Sequence, residues 1–344
     1  MIELLRQLIA VPSFSRDEAA AADVLQAWMA SRGLPVSRYG NNLWVAPDDC
    51  ADGRPVILLN SHIDTVRPAA GYTRNPFAPD IEDGRLYGLG SNDAGGPLVA
   101  LLGAYMQLAS RPQSYKLVFA ATAEEEVSGH GGIESLLPLL GRVDLGIVGE
   151  PTRMQMAVAE KGLMVLDCTA RGRSGHAARN EGDNAIYRAL SDIDWFRNHR
   201  FDRVSQFLGS VKMTVTQIEA GTQHNVVPDE CRFVVDVRPN GMYSNVELLA
   251  EIRRSVNCEV SERSTRLNSS SIAMSHPVVQ QAQRLGIPTF GSPTMSDQAL
   301  MPFPTVKIGP GDSARSHTAD EYIGLDEISS GIETYVRLLD GLNI

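Results

Sequence analysis

Three short runs rich in aliphatic residues constrain the fold of this chain more than any other feature of its sequence. They cover residues 56–59, 116–122 and 145–148, and each has the length of a strand rather than that of a buried helix. Helical patterns separate them, and strands that alternate with helices are typical of a sheet with helices packed against it. The sequence therefore predicts an α/β fold with a mixed, largely parallel sheet.

The middle of the chain has a different pattern. Its elements are a strand at 164–170, a helix at 184–196, strands at 211–218 and 232–237, a helix at 246–256 and a strand at 259–262. This β-α-β-β-α-β order describes a compact α+β unit. Because 344 residues exceed the usual size of one core, two domains are expected. We predict an inserted domain at 160–268 and a second domain formed by 1–159 and 269–344.

Composition and charge narrow the function classes. The net charge of −10, without a run of basic residues, argues against a nucleic-acid partner. No stretch approaches the ~18 apolar residues of a membrane span. The N-terminus has Glu3 and Arg6 in its first turns and neither the long apolar core nor the small-residue cleavage site of a secretory signal. Four scattered cysteines form neither a metal pair nor a disulfide framework: Cys50, Cys168, Cys231 and Cys258. These features predict a cytoplasmic protein.

Near the N-terminus, Ser15 is followed three residues later by Glu18. This spacing is that of a capping box, in which the two side chains bond to the free N–H groups of a first helical turn. It predicts a helix that starts here, runs to about residue 31 and stops before Gly33.

The first candidate site follows the first aliphatic run, in the sequence Ser61-His62-Ile63-Asp64. Side chains alternate along a strand, so His62 and Asp64 are expected on one face at its carboxyl end. Open α/β sheets bind their ligands at that end. His62 can bind a metal there while Asp64 orients its ring, although such a pair alone is more often local hydrogen bonding.

Further acidic and histidine residues follow other predicted elements, namely Asp93, the triplet 124–126, Glu150 and His317. Each alone has an ordinary structural explanation as a turn former, a helix start, a strand exit or an exposed loop residue. Together with His62 they offer two imidazoles and several carboxylates, which suit a pair of divalent metals, Zn²⁺ first. Such a pair lies ~3.5–4 Å apart across a bridging carboxylate, and a spare carboxylate then serves as proton carrier.

The ordered motifs SHIDTV, GSNDAGG, TAEEEVSG, VGEPT and ARSHTADEYI resemble the acetylornithine deacetylase, succinyl-diaminopimelate desuccinylase and carboxypeptidase G family of two-zinc hydrolases. The resemblance spans nearly the whole chain, including the insert. It implies that Asp93 bridges the metals, and that His62 and Glu150 are terminal ligands on different metals. Glu126 and His317 then complete the metal site.

The resemblance also implies roles outside the ligand set. Glu125 becomes the general base, and Asp64 steers His62. In the insert, the stretch 174–178 is similar to the family's dimerisation lid, where a histidine, here His176, reaches the partner's active site and stabilises the oxyanion. Without the resemblance, His176 reads as a turn or cap residue.

Three further residues are substrate-binding candidates. Asn225 and Arg238 match lid positions that bind substrate, and Arg238 can grip a carboxylate with two hydrogen bonds. Without the resemblance, Arg238 is more simply one half of a surface ion pair. Arg315, two residues before His317, is an additional candidate for binding a carboxylate.

The chain also departs from the family pattern at three positions. Glu124 stands where Asp is common, Gly95 where Lys often follows the bridging residue, and Asn180 where Pro is frequent. None of these removes a ligand. They predict altered substrate contacts in a divergent branch.

The implied activity is that of a homodimeric zinc hydrolase, dimerised through the insert, that removes the Nα-acetyl or succinyl group from ornithine or a close analogue such as citrulline, in arginine biosynthesis. Co²⁺ and Mn²⁺ fit the same ligands. Within the family, bacterial acetylornithine deacetylases are the most similar. The alternatives are a succinyl-diaminopimelate desuccinylase, which needs more cationic contacts, a metal-dependent dipeptidase, and a noncatalytic binding protein that retained the fold. The cations on offer are Lys161, Arg179, Arg238 and Arg315.

Overall fold

A computed structural model describes residues 1–47, 53–179 and 181–344, which form two compact units. The first unit contains residues 1–158, 271–290 and 296–344, and the second contains residues 159–270 and 291–295. The short segment 291–295 belongs to the second unit because, among other contacts, the Lys161 N–H donates to the Ser292 carbonyl at 3.1 Å. The catalytic and dimerisation roles of the two units stay predictions. Cys50 and Asn180 lie outside the described residues.

Helices and strands alternate as the aliphatic runs predict. The helices are Ile2–Ile9 (α1), Ala19–Ser31 (α2), Gly96–Leu108 (α3), Ile133–Leu140 (α4), Ala185–Asn198 (α5), Asn245–Ser255 (α6), Pro277–Arg284 (α7) and Leu325–Leu339 (α8). The strands are Val36–Tyr39 (β1), Asn42–Val45 (β2), Val56–His62 (β3), Ile81–Glu82 (β4), Arg85–Tyr87 (β5), Lys116–Thr122 (β6), Leu145–Val148 (β7), Met156–Glu160 (β8), Met164–Arg171 (β9), Gly175–His176 (β10), Lys212–Ala220 (β11), Val226–Val227 (β12), Glu230–Arg238 (β13), Glu259–Glu262 (β14), Ser270–Ser271 (β15), Thr289–Ser292 (β16), Thr305–Lys307 (β17) and Tyr322–Gly324 (β18).

The first unit is built on a mixed sheet in the order β1-β2-β6-β3-β7-β17-β8. The four central strands β6, β3, β7 and β17 are parallel to their neighbours in that group, while β1, β2 and β8 run antiparallel to theirs. Every residue of β3, β6 and β7 is buried. Strands buried on both faces consist of nearly continuous apolar residues, and this is why the three runs were readable in the sequence.

The second unit carries an antiparallel sheet in the order β11-β13-β9-β14. Strand β9 alternates buried with half-buried residues, and its buried side chains join a core with α5 and α6. Such alternation is expected where one face of a sheet packs on helices and the other is open. The predicted α/β fold with an additional β-α-β-β-α-β unit is therefore confirmed.

Two local predictions differ from the structure. Helix α2 begins at Ala19, not at Ser15, and no capping box forms, because the Ser15 hydroxyl donates to the Asp64 carboxylate at 2.7 Å instead. Strand β3 continues to His62, three residues beyond the aliphatic run 56–59. The additional residues keep their ladder bonds because β6 extends equally far beside them, pairing Thr122 with His62.

None of the helices in the described part of the chain combines the length and the apolarity that crossing a membrane requires.

Candidate active site

Three parallel strands deliver the first site residues to one edge of the sheet. His62 is the last residue of β3, Glu125 and Glu126 follow the end of β6, and Glu150 follows the end of β7. Since β3 pairs in parallel with both β6 and β7, the three carboxyl ends lie side by side. The sheet itself therefore assembles a histidine and three carboxylates.

Asp93 comes from a turn that precedes helix α3, and the turn has no room for side chains at its glycines. A Cβ at Gly95 would lie 2.5 Å from the Gly90 carbonyl oxygen and 2.6 Å from Leu5. This packing explains why glycine stands at 95 where a lysine was noted as frequent. The Asp93 side chain faces the end of β3, with Oδ1 3.3 Å from His62 Nε2.

The ligand-type atoms form two groups that share Asp93. In the first, His62 Nε2 lies 3.3 Å from Asp93 Oδ1 and 3.8 Å from Glu150 Oε1. In the second, His317 Nε2 lies 3.0 Å from Glu126 Oε2 and 3.7 Å from Asp93 Oδ2. Within each group, the atoms lie within 4.8 Å of one another.

This grouping corrects one expectation. His62 and Glu150 were assigned to different metals, but their side chains belong to the same group, while Glu126 and His317 form the other group with Asp93. Strand β7 lies directly beside β3 and brings Glu150 to His62, whereas Glu126, which follows the other neighbour β6, is directed at His317 instead. The expectation that those two residues serve different metals is wrong.

The donor chemistry of both groups suits divalent metals. Each group offers one imidazole nitrogen and carboxylate oxygens, a set that binds Zn²⁺ and that Co²⁺ and Mn²⁺ also accept. Asp93 presents one oxygen to each group, as a bridging carboxylate must. The arrangement fits a pair of metal ions, and the roles of the individual ligands stay proposals.

Asp64 belongs to neither ligand group but contacts residues of both. Its carboxylate accepts the N–H of Glu125 at 3.0 Å and the N–H of Glu126 at 3.1 Å. Its Oδ1 also lies 3.4 Å from Nδ1 of His62, whose Nδ1 is 2.9 Å from the Asp64 carbonyl oxygen. With Nδ1 engaged in this way, Nε2 is the nitrogen that faces the other ligands. Asp64 thus positions both His62 and the strand exit that carries the acidic triplet.

The three side chains of the acidic triplet 124–126 point toward different partners. Glu126 reaches His317, whereas Glu124 has a left-handed backbone and forms an ion pair with Arg16 at 3.7 Å. Glu125 lies beside the first group, with Oε2 4.0 Å from His62 Nε2, and belongs to neither group. This carboxylate of the triplet thus remains outside the ligand groups.

Burial and like charges perturb the site's proton affinities. Burial, together with the charges of Glu150 and Glu126, raises the pKa of Glu125 well above its usual value. Burial, reinforced by Asp93, raises the pKa of Glu150 to about 8. The hydrogen bond to Glu126 raises the pKa of His317 to about 9. Such shifts are typical of functional sites.

Two further buried carboxylates, Asp297 and Glu321, lie next to the site and have no predicted role. Asp297 accepts hydrogen bonds from Asn60 Nδ2 at 2.9 Å and Thr122 Oγ1 at 2.8 Å, which joins β3 to β6. Glu321 accepts three backbone N–H groups in the Asp93 turn, at 2.9 to 3.0 Å. Glu321 stands inside the motif ARSHTADEYI that carries His317, and this position was its signal, whereas Asp297 begins a short helical turn at 297–300 away from every ligand motif.

The remaining candidate residues belong to neither ligand group, and some lie in the second unit and one in the first. In the second unit, His176 on β10 pairs with Val226 on β12, which brings it next to Asn225, and both side chains are exposed. There, Arg238 makes a bidentate ion pair with Asp236. In the first unit, Arg315 makes a bidentate ion pair with Glu327. Their substrate-binding roles stay predictions.

Comparison with known proteins identifies the type of site. The sequence profile of Peptidase family M20/M25/M40 matches residues 58–341, which is most of the chain. The chain belongs to this family.

Individual members of the M20/M25/M40 family match over the whole length. A succinyl-diaminopimelate desuccinylase from Parvibaculum lavamentivorans is 26% identical, over 99% of this chain and 95% of that protein. The crystal structure of aminopeptidase PepT from Bacillus cereus covers 98% of this chain and 96% of its own, with a TM-score of 0.78 and 20% identity. YXEP from Bacillus subtilis, a dinuclear metal-binding peptidase of family M20, covers the same shares with a TM-score of 0.75 and 17% identity. This chain is therefore a metallopeptidase-family hydrolase, and these two structures share its fold.

The raised pKa values predict that metal binding displaces protons. Ligands bind metal only when deprotonated, and His317 and Glu150 hold protons at neutral pH in the metal-free protein. We expect Zn²⁺ binding at pH 7 to release protons, and the affinity to rise between about pH 6 and pH 9. Calorimetry in two buffers of different ionisation enthalpy measures the release.

In the same measurement, His317→Ala is expected to release fewer protons, whereas His130→Ala, a histidine paired with Glu134 outside both ligand groups, serves as control. An affinity that does not change with pH in this range would contradict the prediction.

Proposed function

We propose that this M20/M25/M40 family member hydrolyses the amide bond of a small N-acylated amino acid with the help of two divalent metals. One observation carries the proposal. Glu125 lies at the carboxyl edge of the sheet with 11% of its side chain exposed, 4.0 Å from His62 Nε2, and stays outside both ligand groups. Amide hydrolysis needs such a group, because a proton must leave the attacking water and reach the departing amine.

In this proposal the first metal position is formed by His62, Asp93 and Glu150, and the second by Asp93, Glu126 and His317. Metals bound at these positions would polarise the substrate carbonyl and lower the pKa of the attacking water. Glu125 takes the water's proton and returns it to the leaving nitrogen. Asp64 keeps the two neighbouring glutamates and His62 in place.

The inserted unit adds a second role. We propose that His176 donates a hydrogen bond to the developing oxyanion in a partner subunit, with Asn225 beside it as a substrate contact. The exposure of both side chains and their neighbouring positions support this assignment. Charge that appears only in the transition state is best stabilised by donors already in place.

The state of the candidate cations favours a short acyl group. Arg238 and Arg315 are both engaged by carboxylates in bidentate pairs, and Lys161 Nζ donates to the Ser210 carbonyl. Arg179 lies 3.8 Å from Glu181. A succinyl group carries a second carboxylate, which would have to displace these partners to bind one of the cations. An acetyl group has no such carboxylate and needs no cation. We therefore propose N-acetylornithine, or a close analogue such as N-acetylcitrulline, as the substrate, in arginine biosynthesis.

The second candidate is succinyl-diaminopimelate hydrolysis, which the 26% identical desuccinylase favours. A dipeptidase is the third, since solved relatives include peptidases. The cytoplasmic location stays a prediction.

A substrate panel distinguishes these candidates. With added Zn²⁺, Co²⁺ or Mn²⁺ we expect release of free amine from N-acetylornithine or N-acetylcitrulline, with slower release from N-succinylornithine. N-succinyl-diaminopimelate and a dipeptide complete the panel, and chelated enzyme is the control. Turnover of the diaminopimelate compound alone would contradict the acetyl assignment and establish the second candidate.

Replacing the proposed base tests the mechanism. Glu125→Gln keeps the size of the side chain and removes its basicity, so turnover is expected to fall by about 10²- to 10⁴-fold. Metal content should not change, because Glu125 is in neither ligand group. The matched control is Glu124→Gln, in the same triplet but paired with Arg16. Retained activity in Glu125→Gln would remove Glu125 from the role of base.

We also propose that the chain forms a homodimer through the second unit. Helix α5 and its neighbour β11, an edge strand, expose large apolar side chains there, among them Tyr187 at 73%, Leu190 at 52% and Ile218 at 57%. Sedimentation equilibrium is expected to show a dimer, which Leu190→Lys weakens. Leu139→Lys, an exposed leucine of the first unit, should have no effect. A monomeric parent protein would contradict the proposal.

A further inference from the structure

Glu321 has an unusual set of partners for a carboxylate next to a metal-type site. It is 1% exposed, and its oxygens are directed at backbone rather than at the ligand atoms. Oε1 accepts the N–H of Asn92 and the N–H of Asp93, each at 2.9 Å, and Oε2 accepts the N–H of Gly90 at 3.0 Å. One carboxylate thus binds three donors within four consecutive residues.

These bonds fix a segment that no regular ladder holds in place. Gly90 has φ of +73°, and Asp93 departs from helical geometry with φ of −120° and ψ of 100°. The turn is packed against the end of β3 and lies in the interior, where N–H groups without acceptors would be costly. A charged acceptor binds such donors more strongly than a neutral one does. Glu321 is therefore the charged anchor of the turn's backbone, while the Asn92 side chain ties the turn to Asp312 and Ser316.

Residues 317–321 form a short segment that carries both His317 and Glu321. Asp320, next to Glu321 in sequence, faces the opposite side and accepts the N–H groups of Thr73 and Arg74 at 2.9 and 3.0 Å. The Glu321 carbonyl additionally accepts the N–H of Gly88 at 3.0 Å. Anchored on both sides, the segment holds His317 at a set distance from the Asp93 turn, and the observed separation from Nε2 to Oδ2 is 3.7 Å.

We propose that Glu321 is a positioning residue: it holds the backbone of Asp93 so that one Asp93 carboxylate oxygen faces each ligand group, where the two groups would hold two metals. The inference rests on the proposed metal-dependent function. Glu321 itself is in neither ligand group of the described residues, so its effect on the metals is transmitted through the Asp93 turn. Its loss should therefore disturb the shared ligand and with it the metal pair, rather than one substrate contact.

The test measures metal binding instead of turnover. The variants are Glu321→Ala, which removes all three acceptor contacts, and Glu321→Gln, which keeps one oxygen for Asn92 and Asp93 but turns an amide donor toward the Gly90 N–H. The matched control is Asp192→Ala. Asp192 is an equally buried carboxylate, and it accepts the N–H groups of Asn257 and Cys258 at 3.0 and 2.9 Å within the second unit.

Each metal-free protein is titrated with Zn²⁺ by calorimetry, bound metal is counted after dialysis, and the visible spectrum is recorded with Co²⁺. The parent protein should bind two ions. In Glu321→Ala we expect about 10- to 100-fold weaker binding, the range found when supporting residues of metal ligands are removed. Its Co²⁺ spectrum should change as well. Glu321→Gln should lie between this variant and the parent, and Asp192→Ala should match the parent after correction for folded fraction.

Parental stoichiometry and affinity in Glu321→Ala would overturn the proposal, as would an equal loss in Asp192→Ala, which would mean that lost stability alone weakens the binding. If Glu321→Ala does not fold, the glutamine variant decides, with weakened binding in favour and parental binding against. A parent that binds two ions but cleaves none of the panel would refute the proposed substrates and leave the role of Glu321 standing.

Discussion

The parallel pairing of β3 with β6 on one side and β7 on the other is the constraint on which the site depends. The carboxyl ends of parallel neighbours lie at the same edge of the sheet. Residues that follow three separate strands are therefore brought together by the strand pairing itself. His62, Glu126 and Glu150 owe their proximity to this pairing. Asp93 and His317 come from turns instead, and these turns need anchors of their own.

Buried carboxylates anchor the strand ends and the Asp93 turn around the site. Asp64 binds the backbone of the β6 exit, Asp297 joins the side chains of two neighbouring strands, and Glu321 binds the turn of Asp93. Each carboxylate is satisfied by N–H or O–H donors, so its burial is compensated and the surrounding backbone becomes rigid. The ligand-type carboxylates are thus surrounded by further acidic residues whose oxygens are bonded to backbone and side-chain donors.

Sequence reasoning succeeded where a residue's role follows from periodicity or from its place at a strand end. The bounds of β6 and β7 and the order of the second unit were predictable because their apolar patterns are strong. The grouping of His62 with Glu150 was not, because β3 has both β6 and β7 as parallel neighbours and no local pattern shows which carboxylate is directed at His62. Ser15 shows the same limit: its spacing fits a cap, but a carboxylate 49 residues away in sequence takes its hydroxyl.

The two ligand groups differ in how far apart their members lie along the chain. His62, Asp93 and Glu150 all precede the second unit, whereas the group with Glu126 is completed only by His317, close to the C-terminus. During synthesis on the ribosome, the three residues of the first group are made more than 160 residues before His317, but the Asp93 turn still lacks its hydrogen bonds to Glu321. Both groups can therefore reach the described geometry only after the segment that carries His317 and Glu321 has been synthesised.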